Sequence, residues 1–302
     1  MKAAVMHQYG RPEVLHYEEL PNPVIQPGEV LVHVAATSVN PFDLKIRSGA
    51  VKEWLPLTFP AILGLDVSGT VEDVGPGVTR FAYGDKVFAH TTQTYATHCV
   101  VKEQELAKIP EELDLIDAAA LPTVTTTGAQ LAALALKQGT GETVLITGAV
   151  GNVGRSAMCI AKERGATVIA GVLKRQAVDA RAAGADWVVA LDDENVVGAL
   201  QLVDSVADTI GGPIADKLIT KVKPGGIFAS VLGVPTAAAA NPQVQVKTMQ
   251  VKADPLTQLR MAYAVVEGRL AIPIGQRFEM KDAAKAHTAA ETGAKGKLLL
   301  LA

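Results

Sequence analysis

The chain has few of the residues that stabilise small secreted proteins. Its 302 residues include two cysteines, Cys99 and Cys159, and only 4% aromatic residues. Two cysteines do not make a disulfide framework, and the N-terminus lacks the basic start and apolar stretch of a signal peptide. We therefore expect a reducing, cytoplasmic environment.

Long uncharged apolar runs are missing as well. The best candidate, residues 118–136, is interrupted by Pro122 and a cluster of threonines, so we predict no membrane span. The formal net charge is only −3, which gives no general attraction to nucleic acid or to an anionic membrane. We expect neither as a partner, and any bound phosphate must be recognised by local groups.

A glycine-rich turn at residues 143–154 carries the most functional information. Its sequence, TVLITGAVGNVG, is an apolar strand that runs into three glycines. Such glycines allow a tight turn, close approach of the backbone to a pyrophosphate, and close packing of the following helix, whose N-terminal amides bind the phosphates. A plain glycine-rich turn is the alternative. The predicted cofactor contacts are Gly148, Ala149, Gly151, Asn152, Val153 and Gly154.

The residues after this turn bear on the choice of dinucleotide. Residues 155–164 have helical composition, and residues 166–172 form a second apolar strand, which completes a strand-helix-strand unit. NAD-binding units place an Asp or Glu after this strand, whereas this chain has Lys174 and Arg175. Two cations favour a ribose 2′-phosphate, so we predict NADPH as the cofactor, unless the pair only begins a solvated helix.

The pattern of elements predicts an α/β protein of two domains, one mostly β and one with a parallel sheet. The first hundred or so residues contain short strands separated by Pro and Gly turns, which indicates a mostly β domain. From about residue 113 helices and strands alternate, which is typical of a doubly wound parallel sheet. The last fifty residues have a mixed pattern, and we expect them to return to the first domain.

Several motifs are similar to those of one enzyme family. They are residues 38–49 (SVNPFDLKIRSG), 64–69 (GLDVSG), 84–87 (GDKV), 118–122 (AAALP), 223–226 (KPGG) and 296–297 (GK). Together they resemble the zinc-independent quinone oxidoreductase and enone reductase branch of the medium-chain dehydrogenase/reductase superfamily. The resemblance implies a GroES-like catalytic domain (residues 1–117 and 253–302) and a Rossmann NADP(H)-binding domain (residues 118–252).

The resemblance also bears on metal binding. Zinc alcohol dehydrogenases of this superfamily have a Cys at the position that matches Asn40 and a His-Glu pair at the positions that match Leu65 and Asp66. This chain has none of these metal ligands, so we predict no metal. The implied activity is reduction, with NADPH, of a quinone or of the C=C bond of an α,β-unsaturated carbonyl compound.

The resemblance places several residues at the reaction site. Asn40 and Lys45 are candidate donors to the oxygen on which charge develops, and Asp43 is expected to orient their loop. Thr127 matches a family threonine near the nicotinamide, and Leu232–Gly233 match a segment whose backbone meets the carboxamide.

Each of these residues also has a structural alternative. Asn40 could only brace its loop, Asp43 could cap an Asx turn, and Lys45 could extend into solvent. Thr127 could be a helix N-cap, and Gly233 could serve only a turn.

Two other functions stay open at this stage. One is an NADPH-binding protein that resembles zeta-crystallin in its non-catalytic roles, and the other is a zinc-free alcohol dehydrogenase.

Residues 244–251 have the alternating pattern of an edge strand that could pair across a two-fold axis. We therefore expect a homodimer.

Overall fold

The computed structural model describes all residues from Met1 to Ala302. The chain divides into two compact units. The first contains Met1–Thr123, Ala253–Val266 and Ile272–Ala302, and the second contains Val124–Lys252 and Glu267–Ala271. None of the helices combines the length and the hydropathy that crossing a bilayer requires.

The strands and helices follow each other along the whole chain. The strands are β1 (Lys2–Met6), β2 (His16–Glu19), β3 (Glu29–Val39), β4 (Ala61–Ile62), β5 (Asp66–Val74), β6 (Lys86–His90), β7 (His98–Lys102), β8 (Leu106–Lys108), β9 (Thr143–Thr147), β10 (Thr167–Val172), β11 (Trp187–Ala190), β12 (Val203–Asp208), β13 (Val222–Ser230), β14 (Gln245–Thr248), β15 (Ile274–Glu279) and β16 (Lys297–Leu301). The helices are α1 (Pro41–Ser48), α2 (Pro122–Ala135), α3 (Asn152–Glu163), α4 (Ala177–Ala182), α5 (Glu194–Ala199), α6 (Gly212–Ile219), α7 (Pro255–Val266) and α8 (Ala283–Glu291).

The first unit is built on two sheets. The larger has the order β15-β16-β3-β5-β6-β8, with β7 also pairing with β3, and the smaller has the order β2-β1-β4. Most neighbours are antiparallel, and the valines of β3, β5 and β6 pack into one buried cluster. The return of β15 and β16 to this sheet brings the end of the chain beside its first forty residues.

Strand register in the first unit aligns three polar residues. In the antiparallel pair of β16 and β3, Leu298 lies opposite Val39, so Lys297 comes next to Asn40. In the pair of β3 and β5, Ala36 lies opposite Ser68, which brings Asp66 beside Ser38 and Asn40 at the end of β3. Three neighbouring strands therefore deliver a lysine, an amide and a carboxylate to one place.

The second unit is one parallel sheet of order β11-β10-β9-β12-β13-β14. Strand order reverses between β9 and β12, and in such sheets ligands bind beyond the carboxyl ends of the strands at that point. Leu145 in β9, Val206 in β12 and Phe228 in β13 are fully buried in its core. The predicted fold class, a GroES-like β domain with a Rossmann domain, is confirmed.

Helix α2 begins earlier than the sequence indicates. The alternating pattern after residue 113 predicts a helix near residues 128–137, whereas the helix starts at Pro122. Proline is well tolerated in the first turn, because its missing amide has no helical partner there. Thr127 is therefore inside the helix, and the alternative that it is an N-cap is wrong.

Candidate active site

The predicted cofactor turn lies where β9 ends and α3 begins. The amide of Gly151 donates to the carbonyl of Gly148 at 2.8 Å, which closes the turn. Gly148 has a φ of +58°, a conformation that side chains rarely adopt. The first turn of α3 contains no acidic residue, so its free amides face no competing carboxylate.

Gly154 lets the helix approach the turn. A Cβ at this position would lie 2.2 Å from the carbonyl oxygen of Gly148 and 2.7 Å from Cα of Ala149. Both neighbours are backbone atoms, which cannot move aside without changing the turn. Because only glycine fits, these residues suit a bound dinucleotide, whose pyrophosphate would lie on the amides of Asn152 and Val153.

Two groups that sequence reasoning did not identify brace this turn. Arg155 Nε donates to the carbonyl of Val150 at 2.9 Å and places a cation at the start of α3. Asp208, buried at the end of β12, accepts hydrogen bonds from the hydroxyls of Thr147 and Ser230, both at 2.9 Å. It therefore ties together the carboxyl ends of β9, β12 and β13 beside Gly148.

The basic pair lies beyond the end of β10, as predicted. β10 ends at Val172, and after Leu173 come Lys174 and Arg175, which are both exposed. A carboxylate reaches the same place from the neighbouring strand, because Asp192 accepts the backbone amide of Lys174 at 2.8 Å. The charge that a ribose 2′-phosphate would meet here is therefore mixed.

The other predicted cofactor residues are also in the second unit. Thr127 is buried in α2, while Leu232 is half exposed just after β13. The amide of Leu232 donates to Ser230 Oγ at 3.0 Å. Ser230 in turn donates to Asp208, so the same carboxylate braces this segment and the cofactor turn. Gly233 has a φ of +108°, which is a turn conformation.

In the first unit, Asn40 lies in a buried charged cluster. Its side chain is held at both ends: Nδ2 donates to Asp66 Oδ2 at 2.8 Å, and Oδ1 accepts a hydrogen bond from Lys297 Nζ. Lys297 Nζ also lies 3.5 Å from Asp66 Oδ2. Lys297 and Asn40 are 3% and 2% exposed, so water screens these charges little.

Asp66 is the acceptor at the centre of this cluster. Its second oxygen accepts the amide of Thr123 at 2.6 Å, and Ser38 donates its hydroxyl to Oδ2. Burial raises the pKa of Asp66, but the Lys297 ammonium and the hydrogen bonds from Ser38 and Asn40 bring it below its ordinary value. Burial lowers the pKa of Lys297, although the nearby carboxylates of Asp66 and Asp43 act to raise it.

Asp43 holds the backbone of Asn40. It is the third residue of α1, and its Oδ2 accepts the Asn40 amide at 2.8 Å, as a capping carboxylate does. Burial raises the pKa of Asp43 to about 7. Its Oδ1 is buried without a hydrogen-bond partner, so the ionised form is incompletely compensated for its burial.

A chain of side chains runs from Asp43 to the surface. The Arg47 guanidinium, which can only donate, contacts His287 Nδ1 at 3.2 Å. His287 must therefore carry its proton on Nε2, which donates to Tyr95 Oη at 3.0 Å, and Tyr95 donates to Asp43 Oδ2 at 3.3 Å. Burial, with Arg47 nearby, lowers the pKa of His287 to about 3, in accord with a neutral ring.

Lys45 is separate from this cluster. It is exposed on α1, whereas Asp43, Ile46 and Arg47 on the same helix are buried. The cation that contacts Asn40 is Lys297, which sequence analysis quoted in a motif but assigned no role. Of the three predicted catalytic residues, the structure brings together Asn40 and Asp43 only.

A cavity of about 500 Å³ adjoins α1 in the first unit. Its walls include Phe42, which stacks on Trp54 with ring centroids 5.8 Å apart, and Leu65, which precedes Asp66. Leu57 and Ile62 add further apolar surface. The cavity has a size that suits a small ligand and an apolar wall next to the charged cluster.

Comparison with known families gives two matches. Residues 26–111 match the alcohol dehydrogenase GroES-like domain, and residues 183–300 match a model described as zinc-binding dehydrogenase. The residues here do not fit a catalytic zinc: Asn40 and Leu65 supply neither thiolate nor imidazole, and the Lys297 ammonium would repel a divalent cation. No group of three or more His, Cys, Asp or Glu side chains in the chain could hold a metal ion.

Individual proteins are similar over larger parts of the chain. The NADPH-dependent alkenal/one oxidoreductase of Arabidopsis thaliana chloroplasts is 30% identical over 78% of this chain and 64% of its own length. A quinone oxidoreductase structure from Coxiella burnetii has a TM-score of 0.89 and 29% identity over 100% of this chain and 99% of its own. An alcohol dehydrogenase superfamily protein from Novosphingobium aromaticivorans has a TM-score of 0.87 and 31% identity, with 100% and 99% covered.

These similarities define the class. A GroES-like β unit combined with a dinucleotide-binding unit is the architecture of medium-chain dehydrogenases/reductases. The chain belongs to this superfamily, among its quinone oxidoreductases and their relatives. It spans about three fifths of the length of the curated relatives that it matches.

Proposed function

We propose that the chain is a zinc-independent oxidoreductase that uses NADPH to reduce quinones or the C=C bond of α,β-unsaturated carbonyl compounds. The observation that carries the proposal is the buried cluster of Asn40, Asp66 and Lys297. It combines an oriented amide with a buried cation at the position where zinc relatives bind their metal. The names of the similar Arabidopsis and Coxiella proteins support both substrate classes.

The chemistry divides between cofactor and protein. When bound, NADPH supplies a hydride, which forms a C–H bond at the β-carbon of an enone or at a quinone carbon and moves the π electrons onto the substrate oxygen. Asn40 offers an amide donor to that oxygen, and Asp43 keeps the Asn40 backbone in place. The resulting enolate-like anion then takes a proton from solvent or from the ammonium of Lys45, which is exposed on α1.

The apolar cavity beside α1 supports a substrate with a hydrocarbon part. The side chains of Phe42, Leu57 and Leu65 offer no hydrogen bonds and suit a hydrocarbon part, while Thr58, Thr92 and Gln93 on the same lining can meet a polar group. A medium-chain 2-alkenal or a ring-substituted quinone meets this requirement.

We expect the Lys174→Ala/Arg175→Ala double variant to bind NADPH about 100-fold more weakly and NADH within about twofold of the wild type. Each charge-assisted hydrogen bond to a phosphate contributes roughly 1.5–3 kcal/mol, and exposure places these at the lower end. Fluorescence titration with both cofactors measures the effect.

Asp192→Asn is the matched control for the basic pair. It removes the carboxylate that accepts the Lys174 amide, so NADPH binding should become tighter while NADH binding changes little. A wild type that binds NADH more tightly than NADPH would contradict the proposed cofactor.

NADPH absorbance tests the function directly. Parallel reactions would contain a short quinone, a medium-chain 2-alkenal or a 2-enone, with NADH as the control cofactor and chelator added to half of the samples. We expect turnover with NADPH that the chelator leaves unchanged. Activity only with NADP⁺ and secondary alcohols would indicate an alcohol dehydrogenase, and tight NADPH binding without turnover would indicate a binding protein.

We also propose a homodimer that pairs through β14. This strand is an edge of the parallel sheet, and β13 is the one strand that it pairs with. Light scattering on the purified protein tests the proposal. The cytoplasmic location remains a prediction, which cell fractionation would test.

A further inference from the structure

We propose that Lys297 is a positioning residue for the reduction, because its ammonium fixes the orientation of the Asn40 amide and polarises it. The inference rests on the proposed function, in which Asn40 donates to the substrate oxygen. Lys297 belongs to the quoted motif at residues 296–297, to which the sequence assigned no role.

The first argument concerns the direction of the Asn40 amide. An asparagine can turn its side chain by 180° and exchange oxygen for nitrogen. Here one end of the amide faces Lys297, which can only donate, and the other faces Asp66, which accepts. Only one of the two orientations satisfies both neighbours, so the donor group of Asn40 has a defined place.

The second argument concerns the strength of that donor. One N–H of Nδ2 is bonded to Asp66, while the second has only the Ser38 carbonyl, at 3.5 Å, which is longer than an ordinary hydrogen bond. This second N–H is the one that the proposed function assigns to the substrate oxygen. A cation on Oδ1 draws electron density away from the nitrogen and makes its protons better donors.

The third argument is the cost of the lysine at its position. β16 has the sequence KLLLL, and Leu298, Leu299 and Leu300 are buried with Lys297. An apolar residue would continue this strand without the penalty of burying an ammonium, which is considerable even for a paired charge. A purely packing role for position 297 is therefore served better by leucine.

The test compares Lys297→Met with Lys295→Met, an exposed lysine two residues earlier on the same segment. We expect kcat for the 2-enone to fall 10- to 100-fold in Lys297→Met, while KM for NADPH stays within twofold because the cofactor turn is in the other unit. Lys295→Met should match the wild type in both. Unchanged kcat in a folded Lys297→Met protein would overturn the proposal.

A second variant separates positioning from charge balance. Lys297→Met leaves Asp66 buried without its cation, which can unfold the unit, whereas Lys297→Met/Asp66→Asn removes both charges. We expect the double variant to fold, as its circular dichroism spectrum and melting temperature would show, and still to have low kcat. Recovery of wild-type kcat would mean that Lys297 only neutralises Asp66, and would overturn the proposal.

NMR gives a result that does not depend on turnover. In protein labelled with ¹⁵N-asparagine, the side-chain amide signals of Asn40, assigned by their loss in Asn40→Ser, should shift or split in Lys297→Met and in the double variant. They should stay in place in Lys295→Met. If the wild type reduces none of the substrates, the proposed function fails, while this measurement still decides whether Lys297 orients the amide.

Discussion

Gly154→Ala should weaken NADPH binding about 100-fold, which corresponds to roughly 2.7 kcal/mol. The new methyl group would lie 2.2 Å from the Gly148 carbonyl oxygen and 2.7 Å from Ala149 Cα, so either α3 or the turn has to move. A shifted turn no longer directs its amides at the pyrophosphate. Fluorescence titration measures the affinity, and thermal unfolding should show a loss of about 1–3 kcal/mol from overpacking.

Two other glycines provide controls for this result. At Gly198, inside α5, an added Cβ meets no atom within 4 Å, so Gly198→Ala should bind NADPH normally and gain up to about 1 kcal/mol of stability. At Gly151 the nearest atom is the Gly148 oxygen at 3.1 Å, and a smaller loss is expected. Equal affinity in Gly154→Ala and Gly198→Ala would show that the turn does not bind the pyrophosphate.

Arg47→Met should lower the free energy of unfolding of the first unit by about 3 kcal/mol, because it removes a buried cation from groups that depend on it. Arg47 is 2% exposed and donates to the Gly10 carbonyl at 3.1 Å, to His287 Nδ1 and to Glu291. Methionine occupies the space of the side-chain stem but satisfies none of these acceptors. Urea unfolding, followed by Trp54 fluorescence in a Trp187→Phe background, reports on this unit alone.

Glu291→Gln is the matched control for the same contact. The Glu291 side chain is 41% exposed, and pairs of this kind contribute at most about 1 kcal/mol. Its unfolding midpoint should therefore stay near that of the wild type. If Arg47→Met and Glu291→Gln had the same free energy of unfolding, the series of hydrogen bonds from Arg47 through His287 and Tyr95 to Asp43 would not stabilise the unit.

The cofactor turn shows how much a local pattern can predict. Residues 143–154 contain both the apolar strand and the glycines, and the turn depends on contacts among Gly148, Gly151 and Gly154, at most six residues apart. The sequence therefore predicted β9, α3 and the α/β class. The pair Lys174–Arg175 was also recognised from the sequence. Asp192 was not, because it comes close to Lys174 only through the pairing of β10 with β11.

Elements with mixed patterns were missed. β12 reads VDSVAD, where Asp204 and Ser205 interrupt the apolar residues, so no strand was predicted there. As a result, Asp208 was not recognised as the carboxylate that joins three strand ends. The one signal that could have indicated a strand end was Val206-Ala207-Asp208, shortly before the helix that the sequence predicts near residues 213–221.

By itself, the sequence determined the cofactor turn, the basic pair, the absence of thiolate and imidazole at the family's zinc positions, and the capping of Asn40 by Asp43 three residues later. Each depends on neighbours within one turn or one helix, where chain geometry fixes the distances. Only the tertiary structure decided that Lys297 meets Asn40 and that His287 links Arg47 to Tyr95. Those contacts join residues about 200 or more positions apart, and they exist because β16 pairs with β3 and α8 packs in the same unit.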